Sequence, residues 1–369
     1  MEWFDQALLQ CMEKVEKNIE LIGEHFPHVS IGGVYNHEEP GFWTAGFWPG
    51  ILWLRYLNTG DEKSVGLAGK LEKRLDQVME EFENLHHDVG FMWLPTAVMH
   101  YKADGNLQSR LRGLKAASLL AGRFNPAGNF IRAWNDSIKP DSQGWAIIDC
   151  LMNLPLLYWA SNETGDARFK NIAVRHSDTV LKHFMRQDCT FPHIVSFDPE
   201  SGAKIENLAG QGKTPDSVWA RGQSWALYGF AAGYRETGLE MYAETAKRTA
   251  DKVVQLMGED KVPCWDYCAC GEERGAKDSS AAACAASGML LLSDLLENEA
   301  EKKRYRDNAL IILKGLYEEY TDFSDREQGI LMKGTVSYPD RRHINVPIIY
   351  GDYFFIEALM RVRSGITVF

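Results

Sequence analysis

Apolar residues recur at helical spacing from one end of the chain to the other, and no run of alternating apolar and polar positions reads as a strand. Two kinds of helix take turns. The first is amphipathic, with charge on one face, over 5–24, 62–84, 107–121, 166–186, 240–257 and 301–319. The second is apolar or small on nearly all sides, over 44–57, 91–102, 143–160, 217–235, 278–295 and 346–362. A helix with one apolar stripe covers a core and faces water, whereas one apolar all round must be buried on every side. Strict alternation of the two predicts an inner ring of helices inside an outer ring.

The connections fit that reading. Links from inner to outer helices are tight: Asn58-Thr59-Gly60-Asp61, Ala103-Asp104-Gly105-Asn106, Glu163-Thr164-Gly165-Asp166 and Glu236-Thr237-Gly238. Gly suits the left-handed residue just past a helix end, and Asp or Asn suits the next N-cap. Links from outer to inner helices are longer, over 25–43, 122–142, 187–216, 258–277 and 320–345. These all emerge at one end, where the positive ends of the inner helices surround a mouth. The expected fold is all-α, an (α/α)6 barrel of six helical hairpins forming a single domain over 1–369, with its pocket on the long-loop face. An irregular helical solenoid, lacking a central cavity, is the alternative.

Composition narrows the function classes. With 40 Lys and Arg against 51 Asp and Glu, the net charge of −11 argues against nucleic acid or an anionic membrane as partner. The acid-rich start MEWFDQALLQ lacks the pattern of a signal peptide, and no stretch approaches a membrane span. Seven Cys, an odd number, suit free thiols in a reducing compartment, so a cytoplasmic location is expected.

Several residues have the character of site residues. Asp149 lies in Gly144-Trp145-Ala146-Ile147-Ile148-Asp149-Cys150-Leu151-Met152-Asn153-Leu154, read as mid-helix among apolar neighbours. A carboxylate there must pair, protonate or face a cavity, and desolvation would raise its pKa toward that of a general acid. Asp88, in His86-His87-Asp88-Val89-Gly90-Phe91, is either the N-cap of the helix that follows or part of a pocket wall with His87 and Trp93. Arg221 and Trp225 are four apart and share a helix face. Arg221 could grip an anionic ligand at the mouth or partner a buried acid such as Asp149 or Asp216. His193 and Gln211 lie on the preceding long loop. Trp43, Trp48, Trp134 and Trp225 fall near loop-to-helix junctions, where indoles stack on sugar rings or pack the junction. Lys277-Asp278-Ser279-Ser280 reads as a cap for an Ala-rich helix. Cys264, Cys268, Cys270 and Cys284 raise a zinc alternative, although their spacing matches no standard zinc pattern. No metal and no organic cofactor is expected.

At these residues the chain resembles the unsaturated glucuronyl hydrolases of glycoside hydrolase family 88. The likeness rests on FWTAGFWPGILWL near 42–54, HHDVGF at 86–91, IIDCLMNLPLL at 147–157, QGKTPDSVWARGQSWALYGF at 211–230, KDSSAAA at 277–283 and YGDYFFIEAL at 350–359. The resemblance implies the same barrel and the release of a 4,5-unsaturated uronic acid from the non-reducing end of oligosaccharides made by polysaccharide lyases. It implies Asp149 as general acid and base and Asp88 as the second essential carboxylate. It also implies Trp43, His87, Trp134, His193, Gln211, Arg221 and Trp225 as substrate contacts. Where many relatives have His before the Gln, this chain has Gly210. The related unsaturated rhamnogalacturonyl hydrolases, a sugar epimerase on a similar barrel and a non-catalytic sugar-binding scaffold are the competing readings.

Overall fold

The computed structural model describes residues 2–365 and 368, which form the expected (α/α)6 barrel. Met1, 366, 367 and 369, included in the expected domain of 1–369, lie outside the described residues. The outer helices are α1 (Trp3–Ile22), α3 (Glu62–Glu81), α6 (Leu107–Gly122), α8 (Ala167–His183), α10 (Glu240–Met257) and α12 (Glu299–Tyr320). The inner ring runs from α2 (Phe47–Thr59) to α4 (Val89–Trp93), which continues through a π-helical turn (Leu94–Val98) into α5 (Met99–Asp104). It then takes in α7 (Pro155–Thr164), α9 (Ala220–Thr237), α11 (Ser279–Leu295) and α13 (Ile349–Ser364), and α13 packs back on α2 to close the ring.

Burial follows the expected division. Every residue of α9 from Ala220 to Gly233 and of α13 from Ile349 to Val362 is buried. By contrast α10 buries one stripe, Tyr242, Ala243, Thr245, Ala246, Thr249, Ala250, Val253 and Met257. The π turn in the second inner rod has a local cause: Pro95 has no N–H to give, so the regular ladder cannot continue through it.

Two expectations are corrected. The inner helix read over 143–160 is not continuous: Trp145–Ile147 is a strand, Ile148–Met152 a 3-10 turn, and α7 begins only at Pro155, a residue suited to the first position of a helix. Nor is the chain free of strands. Three small antiparallel sheets lie in the long connections: β1 (Phe26–Ile31) with β2 (Val34–Glu38), β3 (Phe124–Asn125) with β4 (Phe130–Ile131), and β5 (Trp145–Ile147) with β6 (Ile194–Phe197) and β7 (Lys204–Leu208). Strands of two to six residues are too short for a period of two to show in the sequence.

Candidate active site

The three-stranded sheet assembles one wall of the mouth. Trp145 pairs with Ser196 and Ile147 with Ile194, and the ladder extends by Ile148 N–H donating to the His193 carbonyl at 3.0 Å. This places the side chains on either side of the pair, Asp149 and His193, next to each other. On the other edge Ile194 pairs with Leu208, which returns the chain so that Gln211 N–H donates to His193 Nδ1 at 2.8 Å. Because Nδ1 accepts that bond, the ring proton belongs on Nε2. His193 Nε2 lies 3.4 Å from Asp149 Oδ2.

Asp149 is therefore the second residue of a 3-10 turn at the end of a strand, not a mid-helix carboxylate. Its side chain is 18% exposed, so solvent reaches it, while Oδ2 is buried and accepts no well-formed hydrogen bond. His87 Nδ1 and Trp225 Nε1 are likewise buried donors or acceptors without partners. Buried polar atoms are normally paired, and those of Asp149 and His87, on the segments that carry the two acids, are open to partners that a ligand would supply.

Asp88 occupies the N-cap position of α4 but makes no capping bond, which removes the simplest structural reading of it. Its Oδ1 instead accepts from Asn153 Nδ2 at 3.0 Å. His87 Nε2 and His86 Nδ1 each stand 3.5 Å from its oxygens. Burial pushes the Asp88 carboxyl well above the usual range, the negative charge of Asp149 adds to that, and the Asn153 bond and Arg123 oppose it. The carboxyl that burial pushes upward here is Asp88, a residue the sequence offered as a helix cap or part of a pocket wall. Burial also lowers both histidines, His86 to about 3, so they flank Asp88 as neutral rings.

Arg221 is buried among protein partners. One terminal nitrogen donates to Asp278 and, at 2.8 Å, to the Thr335 carbonyl. The other donates to Gln211 Oε1 at 2.7 Å and to the Val336 carbonyl at 2.8 Å. The acid it pairs with is Asp278, neither Asp149 nor Asp216, and the guanidinium lies over the rings of Trp219 and Tyr350. It orients Gln211 from behind. Asp278 is also the N-cap of α11, as the sequence implied, and its pairing with the neighbouring inner helix α9 is an addition.

The tryptophans divide. Trp43 is half-buried at the start of the first inner rod, 5.1 Å from the Tyr350 ring and 5.5 Å from that of Phe91. Trp134 is half-buried against Trp145. Trp225 is buried between Phe91 and Phe354, deeper in the barrel, and Trp48 is buried with its N–H donating to the Gly23 carbonyl. Gly210 has a φ of +54°, and any Cβ there would collide with the His193 ring. The absence of a side chain at 210 therefore leaves His193 free to take its place between Gln211 and Asp149.

The cysteines do not converge. Among the described residues, the one group of three or more side chains placed to hold a metal is His86, His87 and Asp88. Cys270 meets Lys213, whose Nζ donates to Sγ at 3.1 Å, and Cys264 donates to the Arg274 carbonyl. Residues that matter here but were not singled out from the sequence are Asn153, Arg123, Trp219 and Tyr350. Arg123 donates to the Leu85, Arg132 and Ala133 carbonyls and to Asn135, stapling the loop that carries Asp88 to the loop that carries Trp134. Nothing local in the sequence distinguishes this arginine from a surface one.

Known proteins with this architecture place the site in context. The model of Glycosyl Hydrolase Family 88 matches residues 17–354. The unsaturated glucuronyl hydrolase of Bacillus sp. (strain GL1) is 37% identical over 374 residues, covering 99% of this chain and 98% of that protein. The unsaturated chondroitin disaccharide hydrolase of Streptococcus pyogenes serotype M1 is 33% identical over 362 residues, covering 96% and 90%. The crystal structure of the Bacillus sp. GL1 unsaturated glucuronyl hydrolase, responsible for the degradation of glycosaminoglycan, superposes with a TM-score of 0.95 at 35% identity, covering 99% of this chain and 98% of that one. On these matches, which run nearly the whole length of both partners, the chain belongs to glycosyl hydrolase family 88.

Proposed function

We infer that this chain is a single-domain unsaturated glucuronyl hydrolase, cleaving a 4,5-unsaturated uronic acid from the non-reducing end of glycosaminoglycan-type oligosaccharides left by lyases. The observation that carries the reading is the pair of carboxylates at the mouth of a family 88 barrel, one buried and one with an unpartnered oxygen. The substrate ring is a vinyl ether, with C4=C5 beside the ring oxygen. Protonation of C4 leaves an oxocarbenium-like centre at C5, water adds there, and the resulting hemiketal opens and expels the remaining sugar.

Asp149 donates the proton to C4 and, as carboxylate, then takes a proton from the attacking water. Burial and the Asp149 charge push the Asp88 carboxyl upward, so the pair keeps a proton available for transfer. Once the proton has moved to C4, both carboxylates are negative beside the developing cation, and Asp88 stabilises it. His193 Nε2–H orients Asp149, Gln211 is held by Arg221, and Trp43 and Trp134 stack on the sugar. Trp225 and His87 shape the floor, each with a polar atom free for substrate. No covalent sugar intermediate and no metal or organic cofactor enters these steps. The seven free thiols support a cytoplasmic location, and no helix among the described residues is long and apolar enough to cross a membrane.

Incubation with unsaturated disaccharides from chondroitin, hyaluronan, heparin and pectin tests the reading. Loss of the alkene absorbance with the glycosaminoglycan disaccharides is expected. Turnover confined to the pectin disaccharide would instead establish a rhamnogalacturonyl hydrolase, and ligand binding with the alkene intact would establish a binding scaffold.

A further inference from the structure

Asn153 closes the 3-10 turn that carries Asp149, two positions before α7 begins, and is completely buried. Its carboxamide makes three bonds to three elements of the site. Oδ1 accepts from Phe91 N–H at 2.9 Å, in the first turn of α4. Nδ2 donates to Asp88 Oδ1 at 3.0 Å and to the backbone carbonyl of Asp149 at 3.3 Å. The orientation of the amide follows from its partners: a backbone N–H can only donate, and a carbonyl can only accept. One small side chain thus ties the start of the second inner rod, the Asp88 carboxyl and the turn carrying Asp149.

We propose that Asn153 is a positioning residue of the reaction, fixing the separation of Asp88 and Asp149 and stabilising the negative charge the pair acquires when its proton leaves. The proposal rests on the acid–base reading of that pair given above. The requirement for Asn is strict on chemical grounds. Asp would set a third carboxylate against Asp88. Leu would fill the volume but strand the Phe91 N–H and the Asp88 oxygen, each buried. Ser is too short to span both. Gly90 supports the arrangement, because a Cβ there would overlap Asn153 itself, so the two rods approach closely enough for a short carboxamide to bridge them. The N–H given to Asp88 opposes the burial and the Asp149 charge that push this carboxyl upward.

The test is steady-state kinetics across pH on Asn153→Ala, with the unsaturated disaccharide that the unmodified enzyme turns over best. Losing a donor to the anionic pair makes its proton harder to remove, so the pH profile of kcat/KM moves to higher pH. We expect kcat to fall roughly 30- to 100-fold, within the range for misplaced acid–base groups, with KM changed less than about threefold. In an Asp88→Asn background the charge that Asn153 serves is gone, so adding Asn153→Ala costs less than about threefold further. Asn153→Ser, which keeps a small polar group in the cavity, is expected to show the same shift in milder form, so the test does not depend on one variant folding. A fall in kcat with an unmoved pH profile, or equal losses in both backgrounds, would reduce Asn153 to a packing residue and overturn the proposal. Failure of the unmodified enzyme to consume any alkene would instead overturn the underlying reaction, a separate outcome.

Discussion

The two ends of the barrel are built from the same twelve rods by different physics. At the end away from the mouth, inner rods pass to outer ones through turns of a few residues. Gly60, Gly105, Gly165 and Gly238 take left-handed conformations there, and Asp61, Asn106, Asp166 and Asn298 cap the helices that follow. Each of those bonds spans two or three residues. At the mouth, the bonds that join separate elements are long-range: Arg221 to Asp278, Asn153 to Asp88, Gln211 to His193, Arg123 to Leu85. The closed end caps its helices with local bonds, and its buried polar groups, such as Glu72 with Ser109 and Arg112, are paired. The mouth buries polar side chains and leaves several without partners, as a surface awaiting ligand must. Chemistry therefore belongs to one end, while the tight turns that close the other follow local rules.

Four changes test that division, from the largest effect to the smallest. Asp149→Asn should cost turnover on the order of 10³-fold, in the middle of the range for general acid–base groups, with little change in Tm because no bond of Asp149 Oδ2 is lost. Alkene absorbance assays and thermal melts read both; a retained rate would remove Asp149 from the chemistry. Arg221→Ala leaves Asp278 buried without its cation, and the expected loss is about 3–5 kcal/mol of stability together with a weaker kcat from the freed Gln211. Denaturant melts check it, and an unchanged midpoint would show that the mouth tolerates a broken ion pair.

Acidification sharpens the contrast without any mutation. Burial lowers His28, His86 and His176 to about 3 in the folded protein. The unfolded chain binds those protons from pH 6.5 downward while the folded one refuses them, so stability falls as the pH drops from about 6.5 toward 3, by about 1.4 kcal/mol per pH unit for each histidine that stays neutral. Denaturant titrations at several pH values should show the midpoint falling across that window; a flat profile would mean these rings are protonated in the native state. Finally, Asn298→Ala removes the cap that accepts from Ala300 and Glu301 N–H at the closed end, costing about 1 kcal/mol and leaving kcat and KM unchanged. A kinetic effect from that cap would mean the two ends are coupled.

Legibility in the sequence follows the same division. The six-by-six alternation, the barrel and the tight turns were readable because amphipathicity and caps are local patterns repeated along the chain. The position of Asp149 was misread because Ile147, Ile148, Leu151 and Leu154 are apolar whether they line a helix or the junction of a strand and a turn. Arg221 was recognised as buried or ligand-facing, yet its partner, Asp278, is 57 residues away and looked like an ordinary cap. Asn153 stood in plain view inside IIDCLMNLPLL and carried no signal, since a carboxamide declares its role only through the groups it meets.

Periodicity and turn chemistry are properties of neighbouring residues, and by itself the amino-acid order determined the ring of rods, the end at which the long connections gather and the two acids worth watching. Which acid is more deeply buried, which arginine is already occupied and which amide joins the carboxylates were decided only on folding. Those are facts of distance and desolvation between groups brought together from remote parts of the chain, and neither quantity exists until the barrel closes.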